Sequence, residues 1–137
     1  MKDFFLLKTI LFFLVFFSLS LNVTTKEPTL FLGGDHSITF PIVQRMHELH
    51  GGFDILHFDA HGDLYDEYEG DKFSHACPFA RIMENKFAER LIQIGVRTVN
   101  QHQKEQVERF GVEVYGMRDL HLTKQLHFER PLYISID

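Results

Sequence analysis

The chain has 137 residues, which is enough for about one domain. Its composition, with 45% hydrophobic and 24% charged residues, 9 glycines and 4 prolines, excludes a disordered or fibrous chain. The formal net charge is −5 and no basic run is present, so nucleic acid is not an expected partner. The single cysteine, Cys77, excludes an internal disulfide framework.

The first 25 residues differ from the rest of the chain. They contain Lys2 and Lys8 and are then uncharged from residue 9 to residue 25. A positive start followed by an apolar core is typical of a secretory signal, although the run is slightly short of the roughly 20 residues that span a bilayer. A cleaved signal, a membrane anchor and a mis-started reading frame stay open as interpretations. We predict a hydrophobic leader at residues 1–25, which favours the secretory pathway or a membrane, and a folded domain at residues 26–137.

Short apolar runs and helical periods alternate after the leader. Residues 29–32 (TLFL) predict a buried strand that ends at Gly33. A helix follows, with Thr39 as its N-cap and Pro41 in its first turn, and the glycine pair at residues 51–52 ends it.

Six further elements are predicted along the rest of the chain. Four are strands, at residues 53–58, 90–96, 112–115 and 132–136, and two are helices, one from Pro78 and one at residues 101–110 that Gly111 closes. Strands separated by helical segments indicate βαβ units. The sequence therefore predicts an α/β domain of three layers, αβα, with a central, mostly parallel sheet. Ligands of such sheets bind beyond the carboxyl ends of the strands.

A group of metal-ligand residues follows the strand FDILHF. Asp59, His61 and Asp63 are each separated by one residue, and an extended backbone would point all three side chains the same way. A donor set with a majority of carboxylates suits a divalent ion such as Mn²⁺ better than a structural Zn²⁺. A polar, solvated loop is the alternative interpretation.

Two other strand ends carry similar residues. His36, in Gly34-Asp35-His36-Ser37, follows TLFL and is a further candidate ligand, with Asp35 placed to orient a ligand. Asp137 follows the strand YISI. Taken alone, the first motif also fits a capping turn, and a single aspartate carries no functional meaning.

The motifs GGDHS, DAHGD and S-x-D, in this order and each after a predicted strand, resemble the ureohydrolase family, the arginases and agmatinases. The similarity covers residues 28–137. The resemblance implies an αβα fold, two Mn²⁺ ions, a guanidino substrate, homo-oligomers and a cytoplasmic or mitochondrial location. It also implies two sets of ligands: His36, Asp59, Asp63 and Asp137 for one ion, and Asp59, His61 and Asp137 for the other.

The implied reaction is the hydrolysis of a linear guanidino compound with release of urea. Two divalent ions lower the pKa of a water molecule and so supply a nucleophile at neutral pH. The amine must leave protonated, which requires a proton donor. His75 matches the histidine to which the family assigns this transfer, and an ordinary imidazole titrates in the required range. An unengaged surface histidine is the alternative for this residue.

The loop before His75 is acidic, and it suggests which substrate binds. Asp66 and Glu67 are the candidate substrate-binding residues in LYDEYEGDKF. An acidic loop suits a substrate that ends in a bare amine, so we expect conversion of agmatine to putrescine, a reaction of polyamine metabolism. Hydrolysis of arginine to ornithine, as in an arginase, is the alternative.

The sequence also departs from the family pattern. The family's last motif continues to a second Asp and then Asp-Pro, whereas this sequence stops at Asp137, and the family carries a longer region before GGDHS. We therefore expect a partial ureohydrolase fold with exposed sheet edges and an incomplete second manganese site. A truncated product that binds metal weakly without turnover, and a membrane-tethered binding protein, are the remaining alternatives.

Overall fold

The computed structural model describes residues 28–137, so the predicted leader lies outside the described part of the chain. Residues 33–137 form one compact unit. No helix within the described residues is long and apolar enough to cross a membrane. The α-helices are α1 (Thr39–His50), α2 (Pro78–Glu84) and α3 (Gln101–Phe110), and the strands are β1 (Asp54–Phe58), β2 (Arg90–Ile94), β3 (Glu113–Tyr115) and β4 (Leu132–Ile136). Two 3-10 segments span His36–Ile38 and Leu120–Gln125.

The four strands form one parallel sheet in the order β3-β2-β1-β4. The interior strand β1 is level with both of its neighbours, because Phe58 at its carboxyl end is opposite Ile94 of β2 and Ile136 of β4. Parallel pairing of strands joined through helices confirms the predicted α/β class. It also places the carboxyl ends of these three strands side by side at one edge of the sheet.

The hydrophobic core lies on one face of this sheet. Ile55 of β1 and Leu91 of β2 are opposite each other and fully buried, and they pack with Val43 of α1 and with Phe79 and Ile82 of α2. Partly buried residues of α3 join the same core. Strand side chains alternate between the two faces, and the opposite face of β4 presents Ile134 and Ile136, which are 53% and 78% exposed. The three α-helices of the described residues therefore form one layer on the core face.

The predicted strand at residues 29–32 is wrong. These residues have no regular secondary structure, and the side chains of Leu30 and Leu32 are 81% and 87% exposed. A short apolar run specifies burial only where a neighbouring strand or helix covers it. The other strands agree with the prediction to within two residues.

The start of the first helix also differs from the prediction. Thr39 is the first residue of α1, and the cap position is occupied by Ile38, which makes no side-chain capping bond. The capping side chain is that of Asp35, whose Oδ1 accepts the Ser37 N–H at 3.0 Å one turn earlier. The chain is therefore already helical when it reaches Thr39, whose side chain is buried.

The last helix has the predicted bounds, and its ends explain why. Asn100 accepts the Gln103 N–H at 2.9 Å, while the Gln103 side chain accepts the Asn100 N–H, which forms a complete capping box. At the other end, Gly111 adopts a left-handed conformation with φ 65°, which glycine takes without steric cost.

Candidate metal centre

The site is built at the carboxyl edge of the sheet, where β1 and β4 end together. The Asp59 N–H donates to the Ile94 carbonyl at 3.1 Å and the Asp137 N–H donates to the Phe58 carbonyl at 3.0 Å. These bonds continue the sheet ladder one residue beyond the strands. The backbones of Asp59 and Asp137 are thereby fixed next to each other.

The chain after Asp59 does not stay extended, in contrast to the assumption made from the spacing. It bends at residues 60–61, and Asp63 has a left-handed φ of 47°. The bend buries Asp59 and Asp63 and leaves the His61 side chain 63% exposed. His61 nevertheless stays at the rim of the cluster, because its Nδ1 lies 3.3 Å from Asp59 Oδ1.

His36 lies at the centre of three carboxylates. Its Nδ1 is 2.7 Å from Asp63 Oδ2, 3.7 Å from Asp59 Oδ2 and 3.7 Å from Asp137 Oδ2. One ligand atom from each of these four residues lies within 4.8 Å of the other three. The structure therefore brings together the four residues that the resemblance implied for one manganese ion.

The charges of this cluster are unbalanced, since three carboxylates face one imidazole. Burial opposes a charge on His36, but its hydrogen bond to Asp63 and the charges of Asp63, Asp137 and Asp59 outweigh that cost and raise the pKa of His36 above its ordinary value. Because a carboxylate only accepts, His36 Nδ1 carries the proton shared with Asp63. Metal ligation requires this nitrogen to be deprotonated, so a divalent cation would take the place of that proton.

Asp59 is held in its ionised form by hydrogen bonds. Burial alone would raise the pKa of its carboxyl group, yet the hydrogen bonds from the His57 side chain and the His61 N–H lower that pKa to about 2. The ionised form is the one that ligates metal. The cluster as a whole, rich in oxygen and with one imidazole, fits a manganese site of the kind that the resemblance implied.

A row of buried polar residues beneath the cluster was missed by the sequence prediction. His57 of β1 is opposite Gln93 of β2 and Ser135 of β4, and all three are buried on the core face. His57 Nε2 lies 3.1 Å from Asp59 Oδ2, and Ser135 Oγ lies 2.9 Å from His36 Nε2. The available signal was the period of two, which places His57 on the face of Ile55 rather than toward solvent.

The proposed proton donor lies outside this buried cluster. His75 is exposed on the loop before α2, where its ring meets the Tyr68 ring edge-on at a centroid distance of 5.6 Å and its Nδ1 lies 3.4 Å from Ser74 Oγ. Its role stays a prediction.

The two candidate substrate-binding residues have different surroundings. Asp66 Oδ1 accepts the Gln106 side-chain N–H at 2.6 Å and lies 3.4 Å from Arg81 and 3.5 Å from Arg109. Its charge is therefore engaged by α2 and α3. Glu67, in contrast, is exposed. Substrate contact by either residue stays a prediction.

Comparison with known proteins identifies the family. A sequence model described as the Arginase family matches residues 19–137. This chain belongs to the arginase family. It is 50% identical over 125 residues to "Arginase 1, mitochondrial" of Arabidopsis thaliana, a match that covers 84% of this chain and 36% of the relative. The solved structure of an arginase from Medicago truncatula superposes with a TM-score of 0.64 at 54% identity, and the match covers 67% of this chain and 29% of that one. The chain thus spans about a third of the length of these relatives.

The expectation of an agmatinase is wrong. The relatives at about 50% identity are plant arginases, whereas a ureohydrolase of an agmatine derivative, the N(1)-aminopropylagmatine ureohydrolase of Thermus thermophilus, is 41% identical over 112 residues. The acidic loop therefore did not predict the similarity to arginases, and the carboxylate of Asp66 also lies 3.4 Å from Arg81 and 3.5 Å from Arg109.

Proposed function

We propose that this chain carries the manganese-binding part of an arginase-type hydrolase, which releases urea from the guanidino group of arginine. One observation carries the proposal: His36, Asp59, Asp63 and Asp137 converge from three segments far apart in the sequence, with ligand atoms within 4.8 Å of one another. The arginase relatives at 50% and 54% identity support the choice of substrate.

The donors divide between two ions in the proposed site. His36 and Asp63 would hold one ion, His61 would hold the other, and Asp59 and Asp137 would contribute to both. The burial of the residues supports this division, because Asp63 is buried against His36 whereas the His61 side chain is 63% exposed at the rim.

The chemistry needs both the ions and the surrounding side chains. A guanidinium group is stabilised by resonance, and the bound ions supply the Lewis acidity that makes water nucleophilic near neutral pH. The carboxylates of Asp59 and Asp137 hold and orient the ions. His75 donates the proton that the departing amine requires, and its exposed position supports exchange of that proton with solvent.

Calorimetric titration with Mn²⁺ tests the metal site. We expect the chain to bind Mn²⁺, and we expect Asp59→Asn to weaken that binding at least tenfold, since the variant loses the charge of a proposed ligand. Glu67→Gln is the matched control, because it removes an exposed carboxylate eight residues away and should bind Mn²⁺ like the unchanged chain. Equal affinity in all three proteins would contradict the proposed site.

Urea release tests the substrate. The Mn²⁺-loaded chain is assayed with arginine and with agmatine at equal concentrations, and we expect urea to form from arginine at the higher rate. His75→Ala should lower kcat more than KM, because the residue acts on the leaving group rather than on binding. Urea from agmatine alone would overturn the substrate assignment. If neither compound releases urea, the proposed hydrolysis by this chain is wrong, whereas the Mn²⁺ site is still tested by the calorimetric titration.

A further inference from the structure

We propose that His57 and Gln93 are positioning residues, which fix the direction of the Asp59 carboxylate through a hydrogen-bond relay that starts at the Gly62 carbonyl. The proposal rests on the proposed manganese site, because Asp59 is one of its ligands. Neither His57 nor Gln93 belongs to the sequence motifs that define the site.

The relay has three links. Gln93 Nε2 donates to the Gly62 carbonyl at 2.6 Å, and the same nitrogen lies 3.1 Å from His57 Nδ1. His57 Nε2 lies 3.1 Å from Asp59 Oδ2. The other Asp59 oxygen, Oδ1, accepts the His61 N–H at 2.9 Å. Both carboxylate oxygens of Asp59 are therefore held by the protein itself.

The direction of every bond in the relay follows from its first link. The Gly62 carbonyl only accepts, so the amide nitrogen of Gln93 must face it. That nitrogen only donates, so His57 Nδ1 must accept, and the single proton of the neutral ring is left on Nε2, directed at Asp59. Within the described residues the buried Gln93 Oε1 has no hydrogen-bond partner. The orientation of the amide is therefore explained by the two contacts of its nitrogen, which belong to the relay.

The surroundings of His57 favour positioning over direct exchange with a substrate. The ring is 0% exposed and lies against Phe79 at a centroid distance of 4.2 Å. The imidazole is therefore closed off from solvent, and it contacts the cluster through Asp59 Oδ2 and beside the His36 ring, at a centroid distance of 5.0 Å. Partners of this kind orient metal-ligating carboxylates, and their loss typically costs about 10- to 100-fold in metal affinity or activity.

The tautomer of His57 is the first test, and it needs no metal. In the metal-free chain labelled with ¹⁵N at histidine, a long-range proton–nitrogen NMR correlation distinguishes the two tautomers, and the His57→Gln spectrum identifies the signal. We expect the proton on Nε2 in the unchanged chain and a mixture of tautomers in Gln93→Met, which cannot donate. A proton on Nδ1 in the unchanged chain would overturn the relay.

Manganese affinity of three variants is the second test. We expect His57→Phe to weaken Mn²⁺ binding about 10- to 100-fold. We expect His57→Gln to stay within about threefold of the unchanged chain, because its amide nitrogen is four bonds from Cα, as is Nε2 of histidine. His47→Phe is the control, since His47 packs against Phe87 as His57 packs against Phe79, but lies outside the cluster.

The outcomes separate this proposal from the metal site itself. Equal Mn²⁺ affinity in His57→Phe and the unchanged chain, or equal loss in His57→Phe and His57→Gln, would overturn positioning. If His57→Phe does not fold, two other measurements decide whether the relay positions Asp59. These are the Mn²⁺ affinities of His57→Gln and Gln93→Met, and the tautomer of His57 in the unchanged chain. Failure of the unchanged chain to bind Mn²⁺ would overturn the proposed function, whereas the tautomer measurement would still report on the relay.

Discussion

The central histidine of the cluster shows how single residues are tuned by their neighbours. His36 shares a proton with Asp63 at 2.7 Å while two further carboxylates lie 3.7 Å away. Uncompensated carboxylates in a buried site are costly, and the proton on this ring offsets only one of the three negative charges. A cation bound at this position would therefore stabilise the folded chain.

Asp63→Asn tests the charge of one ligand without changing its shape. Asp63 has a left-handed φ of 47°, a conformation that asparagine also adopts readily. We expect the variant to remain folded and to bind Mn²⁺ at least tenfold more weakly in calorimetry. Asp71→Asn is the control, because it neutralises an exposed carboxylate whose Oδ1 accepts the Phe73 N–H at 2.8 Å, a bond that asparagine retains. Similar affinity in both variants would show that Asp63 is not a ligand.

The four residues of the cluster could be predicted from the sequence because their types are local features, and because Asp59 and Asp137 directly follow strands that were predicted correctly. Their geometry could not, since the bend at residues 60–61 depends on contacts with other parts of the fold. The roles of His57 and of Ser135 in the S-x-D motif were missed for a similar reason. Their role follows from strand register, which pairs residues 78 positions apart in the chain, and a single sequence does not state that register.

At the scale of elements, the N-terminus of α3 carries a cap whose contribution is measurable. Asn100→Ala removes the acceptor for the Gln103 N–H and should lower the free energy of unfolding by about 1 kcal/mol. Asn100→Asp keeps an acceptor oxygen and should recover most of that loss, and denaturant titration compares the two. Equal destabilisation would contradict a capping role. Tyr65→Phe is the control, because Asn100 Nδ2 also donates to Tyr65 Oη at 2.6 Å.

The edge pair of β2 and β3 provides a prediction that depends on pH. Arg90 holds the Glu113 carboxylate with two N–H groups, one of them at 2.8 Å from Oε2. The hydrogen bond from Arg90 lowers the pKa of Glu113 below its ordinary value. A carboxyl group with a lowered folded-state pKa stabilises the protein above its unfolded-state pKa, and this contribution is lost as the pH falls through the folded-state value.

We therefore expect Glu113→Gln to cost about 0.5–1 kcal/mol of unfolding free energy at pH 7, and we expect the difference from the unchanged chain to shrink as the pH falls below about 4. Urea titrations at several pH values measure it. Glu105→Gln, on the exposed surface of α3, is the control and should show a smaller effect. A difference that stays constant down to pH 3 would contradict the ion pair.

Helices and strands whose ends are marked by specific residues were predicted with the correct bounds. The helix at residues 101–110 has a cap residue before it and a glycine after it, and the strand at 132–136 follows Pro131; both were predicted with their observed bounds. Residues 29–32 have apolar side chains but no covering element within the described residues. The 3-10 segment Leu120–Gln125 was missed because it has no buried residues, so hydrophobic periodicity carries no signal there.

At the scale of the whole molecule, metal and fold are linked. A ligand that binds only the folded state stabilises it by an amount set by its concentration relative to Kd, about 2.7 kcal/mol at 100 times Kd. We expect Mn²⁺ to raise the Tm of the chain and a chelator to reverse the increase, measured by circular dichroism. Asp59→Asn should lose most of this effect. An equal increase in Asp59→Asn would assign it to non-specific binding.

The family assignment and the substrate rest on different features of the molecule. The parallel sheet and the sequence motifs support the family assignment. The choice of arginine over agmatine comes from overall similarity to plant arginases, which a local reading of acidic residues did not predict. The predicted leader lies outside the described residues, and the homo-oligomer stays a prediction.

The most direct measurement is anomalous scattering at the manganese edge from crystals of this chain grown with Mn²⁺. The account predicts an ion within coordination distance of His36 Nδ1 and of the carboxylates of Asp59, Asp63 and Asp137. An ion bound elsewhere, with these four side chains ligating nothing, would contradict it.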